Sequence, residues 1–351
     1  MNTDSEMEHP EATNKHPEVS VVMCTYNGAR FIREQMDSIL SQSYPISEII
    51  VQDDGSTDGT VAILEEYAVA DDRIRIYETE NRSGINNNFI TAIDRASCEL
   101  IAWSDQDDIW KQDKIERQVS DIQARDLWIS FHITCPFRGD LPQDVTYDRR
   151  IPNFGLERTL FLGCVPGHTM LFTKGLRDMV RGTVPDSELR RIGESFYYDA
   201  ILSIVANAWG KVGCIVEPLD FHRRHDDSVT ETGRADISGR SLANAARKVA
   251  RNLDPEMRRT VRPYIGKRFC NLLSLLDHFP DAPYTENVRN LVRAYRKGYF
   301  PFIIELSRNR DRIFFSKEKH AAVAVLRAAF LPVTMYDYFA SSYNEAKKNS
   351  R

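Results

Sequence analysis

Three stretches of polar residues have the types and spacing that could bind a charged ligand. They run from Thr25 to Gly28, from Asp53 to Gly59 and from Ser104 to Asp108. The last stretch carries three carboxylates in four residues, which repel one another unless a cation or hydrogen-bond donors offset their charge. Hard oxygen ligands of this kind suit Mg²⁺ or Mn²⁺ bridged to phosphates. The sequence therefore predicts a divalent metal site that binds a phosphate-bearing ligand.

Short apolar runs alternate with helical patterns and would position these polar stretches. The expected strands are 19–24, 48–51, 73–77 and 100–103, and the expected helices are 31–41, 57–67 and 85–96. Strand, helix, strand, helix is the order of a doubly wound, mostly parallel α/β sheet. In such sheets ligands bind beyond the carboxyl ends of the strands. Each polar stretch follows a predicted strand, so the ligand site is expected at that edge.

The polar stretches also have simpler interpretations. Asp, Gly and Ser are residues that turns prefer, so the run from Asp53 could be an ordinary turn, with Thr57 or Asp58 as a helix cap. The run from Ser104 could be an acidic surface loop. Its position directly after a buried strand, at the expected ligand edge, favours a binding site.

Taken together, the motifs TYNGA, IIVQDDGSTDGT and SDQDDIWKQDKIE resemble glycosyltransferase family 2, which has the GT-A fold. The resemblance covers roughly residues 18 to 230, and order, spacing and context all agree. The wording SDQDDIW is similar to rhamnosyltransferase-like bacterial members that build surface polysaccharides. The resemblance implies an inverting enzyme that moves a sugar from a UDP- or dTDP-sugar to an acceptor hydroxyl with the help of Mn²⁺ or Mg²⁺.

The resemblance also implies roles for individual residues near the nucleotide. Thr25 and Tyr26 match residues that flank the base, and Asp53 matches the carboxylate that accepts the N3–H of uracil. Asp105 and Asp107 match the family's D-x-D pair, which contacts the ribose and the metal-diphosphate, and Asp108 is a third candidate. Further residues expected to line the nucleotide pocket are Asn27, Asp54, Arg82 and Asn86.

Two later segments extend the resemblance. The segment 163–170 is similar to the family's small-residue acceptor loop. Asp199 matches the family's catalytic base, although relatives usually place Glu or His where this chain has Tyr198, and a helix-capping role is the alternative. In the segment 221–225, Arg223 is expected to contact phosphate and His225 to contact the metal or phosphate, although a lone His is often structural.

Other functions leave recognisable signs in sequence. A polyprenyl-phosphate sugar transferase of the same family stays open as an alternative. A sugar-nucleotide pyrophosphorylase would need a Gly-rich basic loop after the first strand, where Thr25 to Gly28 stands instead. A non-enzymatic module that kept the fold would tend to lose the paired carboxylates. A processive synthase would carry a Q-x-x-R-W motif, and the last Trp is Trp209.

Charge and composition divide the chain into regions. We expect a disordered leader over 1–17, a catalytic domain over 18–232 and a basic helical region over 240–351. Residues 1–232 carry a net charge of −17 and residues 233–351 a net charge of +12. The basic region could bind an anionic membrane, pack on the catalytic domain or form a homodimer. No recognised nucleic-acid-binding module accompanies the charge.

These regions also predict where the protein works. The leader has no apolar core of the kind a signal peptide needs, and the six scattered cysteines favour a reducing compartment. We therefore expect a cytoplasmic protein, peripheral on the inner face of the plasma membrane if the basic region binds lipid. Its expected partners are a nucleotide-sugar donor and a saccharide or lipid-linked saccharide acceptor.

Overall fold

A computed structural model describes residues 16–79, 82–142, 145, 155–156, 165–225 and 255–309. Strands and helices alternate through the first part of this description, as predicted. The strands are β1 Val19–Thr25, β2 Glu48–Asp53, β3 Ile74–Glu78, β4 Leu100–Ser104, β5 Ile109–Trp110, β6 Ile129–Phe137, β7 Met170–Thr173 and β8 Val212–Arg223.

The helices cover both faces of the sheet and make up the whole of the described C-terminal part. They are α1 Ile32–Leu40, α2 Thr60–Ala70, α3 Ile85–Arg95, α4 Lys114–Arg125, α5 Lys174–Thr183, α6 Asp186–Gly193, α7 Tyr198–Ala208, α8 Pro255–Asp277, α9 Glu286–Lys297 and α10 Tyr299–Arg308. A 3₁₀ turn occupies Gly167–Thr169. Thr57 and Asp58 were the predicted caps of α2. Gly59 holds the N-cap position, and the side chain of Asp58, one residue earlier, accepts a bond from the Thr60 N–H through its Oδ1.

All described strands form one sheet in the order β3-β2-β1-β4-β7-β6-β8-β5. The first four strands of this order run parallel to one another. Strand β7 is antiparallel to both β4 and β6, β8 is parallel to β6, and β5 is antiparallel to β8. The predicted mostly parallel α/β sheet is confirmed. The carboxyl ends of β1, β2 and β4 meet at one edge, as the ligand rule requires.

The sheet has a hydrophobic core on each face because its central strands are buried on both sides. Val21 and Met23 of β1 pack in the core with helices α1, α2 and α4. Val22 points to the other face and joins the core with α3 and α7. Side chains alternate along a strand, so one apolar run supplies both cores.

The described C-terminal helices belong to the second of these cores. Phe269 and Leu272 of α8 and Leu291 of α9 are buried in the same cluster as Ile201 and Val205 of α7. The apolar side chains Val288, Leu291 and Val292 of α9 therefore face inward, in agreement with packing on the catalytic domain, which was one of the alternatives for the basic region. The proposed boundary at 232–241 and most of the proposed leader lie outside the described residues.

None of the described helices is both long and apolar enough to cross a membrane.

Candidate functional site

The loops after β1 and β2 are joined side by side. The Asn27 N–H donates to Ser56 Oγ at 2.8 Å, and Asn27 Oδ1 accepts from the Thr57 N–H at 2.8 Å. The Ala29 N–H donates to Asp58 Oδ2 at 3.1 Å. Several polar residues after β2 therefore form hydrogen bonds that hold the two loops together, in agreement with the interpretation of this run as a turn. In this structure the side chain of Asn27, a predicted nucleotide contact, is hydrogen-bonded to the neighbouring loop.

The Asp53 carboxylate is fully buried and already accepts bonds from protein donors. Its Oδ2 accepts from Thr25 Oγ1 and Ser56 Oγ, each at 2.6 Å, and its Oδ1 accepts from the Ser56 N–H at 2.6 Å. These bonds fix Thr25 at the end of β1 against the end of β2. The predicted bond from Asp53 to a nucleobase stays a prediction, and in this conformation both oxygens are occupied.

Asp54 ties the second loop to the start of α3. Its Oδ1 accepts from the Ser83 N–H at 2.6 Å and its Oδ2 from the Gly84 N–H at 3.0 Å. The Arg82 guanidinium lies 3.9 Å from Asp54 Oδ2 and stacks 4.1 Å from the centroid of the Tyr26 ring. The predicted pocket residues Tyr26, Asp54 and Arg82 are thus neighbours, and the Arg82–Tyr26 pair offers a flat, positively charged surface.

Gln106, the middle residue of the D-x-D sequence, connects the acidic loop to Tyr26. Its Oε1 accepts from the Tyr26 N–H at 2.9 Å, and its Nε2 donates to the Tyr26 carbonyl at 3.1 Å. A Cβ at Gly28 would collide with this amide, so the sequence TYNG needs its glycine for the approach. Gln106 was not predicted as a site residue, although its place between two aspartates was a signal.

The three predicted carboxylates converge. Asp105, Asp107 and Asp108 can each offer an oxygen within 4.8 Å of the others. Burial, followed by the charges of Asp108 and Asp107, raises the pKa of Asp105 well above its usual range. Asp108 is fully buried, and its Oδ2 has no hydrogen-bond partner among the described residues. A divalent cation fits this site, because it would offset the repulsion and satisfy the unpaired oxygen.

The end of β8 brings two histidines to these carboxylates. His222 Nδ1 lies 2.8 Å from Asp108 Oδ1, and His225 Nε2 lies 2.7 Å from Asp107 Oδ2. The structure therefore places His225 beside a predicted metal ligand. His222 was missed in the sequence, where it stands three residues before His225 in the same segment.

Arg223 has protein partners in place of the expected phosphate. Its Nε donates to the Asp107 carbonyl at 3.0 Å, and its Nη2 pairs with Glu34 Oε2 at 2.8 Å. The guanidinium lies 4.7 Å from the ring centroids of both Phe31 and Phe137. In this conformation it fastens β8 to the acidic loop.

A buried polar cluster lies next to the acidic loop. The His168 ring stacks on His222 with centroids 4.3 Å apart, and His168 Nδ1 lies 3.8 Å from Asp105 Oδ2. The fully buried Lys114 Nζ lies 2.7 Å from His132 Nε2 and 3.3 Å from the His168 carbonyl. Burial lowers the pKa of Lys114 to about 8 and the pKa of both His132 and His168 well below the usual range. These histidines are therefore neutral, and local sequence patterns did not reveal the cluster.

Asp199 lies in the first turn of α7, beside the 3₁₀ turn. Its Oδ2 accepts from the Gly167 N–H at 3.2 Å and its Oδ1 from the Ala200 N–H at 2.7 Å. Burial raises the pKa of Asp199 to about 6, and these backbone donors counteract part of that rise. The residue before α7 is Tyr197, so Asp199 is a first-turn residue rather than the N-cap. The residue after Gly167 is His168, whose Nδ1 lies 3.8 Å from Asp105 Oδ2, so this turn contacts both carboxyl groups.

Asn86 supports the helix that carries Asp199. Its Oδ1 accepts from the Tyr198 N–H at 2.9 Å, so a residue expected in the nucleotide pocket holds α3 to the start of α7. Glu194, the nearest acidic residue before Asp199 in the chain, is exposed and pairs with Lys267. Residues 163 and 164 of the predicted acceptor loop lie outside the described residues.

Comparisons with known proteins agree with the motifs. Residues 20–175 match the family model described as Glycosyl transferase family 2. TuaG of Bacillus subtilis, named for teichuronic acid biosynthesis, is 36% identical over 150 residues, which are 40% of this chain and 60% of TuaG. WfgD of Escherichia coli, named a UDP-Glc:alpha-D-GlcNAc-diphosphoundecaprenol beta-1,3-glucosyltransferase, is 30% identical over 145 residues, which are 39% of this chain and 56% of WfgD. The chain thus spans less than two thirds of the length of these relatives.

The fold agrees with a solved structure as well. The crystal structure of residues 1–349 of TarS from S. aureus aligns with a TM-score of 0.50 at 17% identity, covering 84% of this chain and 91% of that one. An identity this low shows the fold alone. The family match spans the three motifs from TYNGA to SDQDD, whose residues meet at the edge of the sheet. The segment 20–175 is therefore similar to glycosyl transferase family 2.

Proposed function

We propose that this protein transfers a sugar from a nucleoside-diphosphate sugar to an acceptor hydroxyl. One observation carries the proposal: a single turn joins a candidate donor site to a candidate base. The Gly167 N–H donates to Asp199, and the His168 ring next to it lies 3.8 Å from Asp105. A carboxyl group that can accept a proton therefore lies beside a loop suited to a metal-diphosphate.

The donor side of the proposal rests on the three joined loops. The nucleobase of the donor would lie against Tyr26 and Arg82, which stack on one another. Asp105 and Asp107, with His225, would hold Mn²⁺ or Mg²⁺. A bound cation offsets the negative charge that builds on the leaving diphosphate.

The acceptor side rests on Asp199. A pKa near 6 leaves this carboxylate mostly ionised at neutral pH, yet more basic than an ordinary aspartate. It would take the proton from the acceptor hydroxyl as that oxygen attacks the anomeric carbon. Direct displacement from the face opposite the leaving group inverts the anomeric centre, as the family resemblance implies.

The names of the relatives support a bacterial surface polysaccharide as the product. TuaG is named for teichuronic acid biosynthesis, and the name of WfgD gives a uridine donor and a lipid-linked acceptor. We therefore propose a UDP- or dTDP-sugar donor and a saccharide or lipid-linked saccharide acceptor. Uracil and thymine both present the same N3–H, so both bases suit this site.

A donor screen tests the proposal. UDP-glucose, UDP-N-acetylglucosamine, dTDP-rhamnose and GDP-mannose would each be incubated with Mn²⁺ or Mg²⁺ and N-acetylglucosamine-diphosphoundecaprenol. We expect acceptor-dependent release of UDP or dTDP, with GDP-mannose inactive, and an inverted anomeric proton in the product by NMR. Formation of UTP or dTTP together with sugar 1-phosphate, when pyrophosphate is supplied in place of the acceptor, would support a pyrophosphorylase. Retention of configuration at the anomeric carbon would exclude the direct mechanism.

A further inference from the structure

Two buried side chains of α4 hold the 3₁₀ turn Gly167–Thr169 from one side. Lys114 Nζ donates to the His168 carbonyl at 3.3 Å. One helical turn later, Gln118 Nε2 donates to the Thr169 carbonyl at 2.9 Å and to the Ser130 carbonyl at 2.8 Å. Both side chains are completely buried. The turn is therefore fastened to α4 and to β6 by donors that have no access to water.

Packing holds the same turn from its other side. A Cβ built on Gly167 would lie 3.1 Å from the Trp103 indole, which is closer than ordinary contacts allow. Thr169 Oγ1 and the Thr169 N–H both donate to the Pro166 carbonyl, at 2.7 and 3.1 Å. The turn thus has little room to move, and its Gly167 N–H points at Asp199 Oδ2.

Burying an amide such as that of Gln118 is costly unless it is hydrogen-bonded. The Gln118 side chain forms hydrogen bonds only through its Nε2, since its Oε1 has no partner among the described residues. An apolar side chain of the same size would avoid that cost. A buried amide whose donated bonds go to two main-chain carbonyls is thus suited to setting the position of the turn.

We infer that Gln118, together with Lys114, is a positioning residue for the base. Through the turn it holds the Gly167 N–H on Asp199, which orients the carboxylate toward the acceptor hydroxyl. The inference rests on the proposed function in which Asp199 is the base. Misplacing a reacting group by about 1 Å can cost roughly 100-fold in rate, so modest loosening of the turn matters.

The test is a double-mutant cycle between Gln118→Met and Asp199→Asn, using the fastest donor of the four-donor panel. Gln118→Met should lower kcat roughly 10- to 100-fold while the calorimetric Kd for the matching nucleoside diphosphate with Mn²⁺ stays within about twofold. In the Asp199→Asn background the same substitution should have almost no further effect on kcat. Gln123→Met, at an exposed position of the same helix, is the matched control and should change neither value.

The outcomes separate this inference from the proposed function. An equal loss of kcat from Gln118→Met in both backgrounds would overturn the positioning role. Full activity of Asp199→Asn alone would show that Asp199 is not the general base, and it would overturn this inference as well. If Gln118→Met does not fold, Gly167→Ala displaces the turn from the Trp103 side and should show the same cycle. A Gly167→Ala effect that persists without the Asp199 carboxylate would likewise contradict the inference.

Discussion

Asp199 is a carboxyl group whose surroundings keep it both ionised and basic. Burial disfavours its charge, while two backbone N–H groups and the start of α7 favour it. Asp105 and Asp108 experience a stronger version of the same conflict, because they also repel one another. The two candidate sites therefore differ in the number of neighbouring carboxylates: Asp199 has the burial of a single group, whereas Asp105 and Asp108 lie in one cluster with Asp107.

The Asp199→Asn variant should bind donor almost as well as the natural protein but transfer sugar several hundred-fold more slowly. Loss of a general base typically costs about 10²–10⁴ in rate. Nucleoside diphosphate release measures the transfer, and calorimetry with the nucleoside diphosphate measures binding. A variant that keeps most of its turnover would place the base elsewhere.

The raised pKa of Asp199 also predicts two pH dependences. The natural enzyme should lose activity as pH falls below about 6, since the protonated carboxyl cannot accept the proton.

The second dependence concerns stability. Between pH 3.8, the ordinary pKa of an aspartate, and about pH 6, folding takes up a proton at Asp199, so this group destabilises the fold progressively as pH rises through that range. Relative to the natural protein, Asp199→Asn should therefore gain up to about 3 kcal/mol of unfolding free energy between pH 4 and pH 7. Urea titrations at both pH values check this, and a constant difference would contradict it.

Asp107→Ala should abolish metal-dependent nucleotide binding and leave the fold intact. It removes one of three clustered carboxylates and the partner of His225. Binding of UDP with and without Mn²⁺ is the measurement, with the exposed Asp72→Ala as the control. Transfer at the untreated rate after EDTA treatment would show that the metal assignment is wrong.

Helices link parts of the site that are distant along the chain. Helix α3 supports α7 through the bond between Asn86 and the Tyr198 N–H, and α4 supports the turn beside Asp199. Helices α8 and α9 pack in the core that contains α7. The helical C-terminal part is thus packed in the same core as the helix that carries Asp199.

This shared core predicts that the described helices unfold together with the sheet. Leu291 of α9 is fully buried, so Leu291→Ala should cost about 2–5 kcal/mol. Val69→Ala, at a position 91% exposed, should change stability by less than about 0.5 kcal/mol. Thermal unfolding of Leu291→Ala should remain a single transition at lower temperature. A separate early transition of the C-terminal part would show that it folds independently.

The whole molecule has an uneven charge, with −17 on residues 1–232 and +12 on the rest. Within 255–309 there are ten basic and five acidic residues, and several are paired. The pairs include Arg289 with Asp277, Arg293 with Glu286 and Arg308 with Glu305. The positive charge available to an anionic surface is therefore smaller than the net charge of +12 counted from the sequence.

We still propose that the basic region brings the enzyme to an anionic membrane on the cytoplasmic side. Each basic residue near such a surface contributes roughly 1 kcal/mol. Reversing the exposed Arg296 and Lys297 to Glu should weaken binding to anionic liposomes roughly tenfold or more, whereas Arg125→Glu with Arg190→Glu should not. Truncation near Gly239 is a poorer test, because it removes the buried residues of α8 and α9.

Co-sedimentation at low and high salt measures this association. Binding of the natural protein should rise with the anionic lipid content and fall with salt. Equal recovery of the protein in the supernatant with neutral and anionic liposomes at low salt would exclude the membrane role. Packing on the catalytic domain would then be the remaining role of these helices, and the buried apolar side chains of α9 already take part in it.

The sequence by itself predicted the first four strands, the helices between them and the acidic loop after β4. These features depend on local periodicity and on turn residues, which a chain segment carries without its partners. The family motifs also led to Asp105, Asp107 and Asp199, because those residues stand in recognisable local surroundings.

The tertiary structure alone decided which partners the polar side chains take. Asp53, Asn86 and Arg223 were all expected at the ligand, and each has protein partners. Lys114 and Gln118 reach a turn about fifty residues away in the chain, which no local pattern encodes. The antiparallel β7 likewise enters the sheet between β4 and β6. Hydrogen bonds satisfy whichever buried groups the fold brings within about 3 Å, so long-range packing selects these partners and local sequence does not.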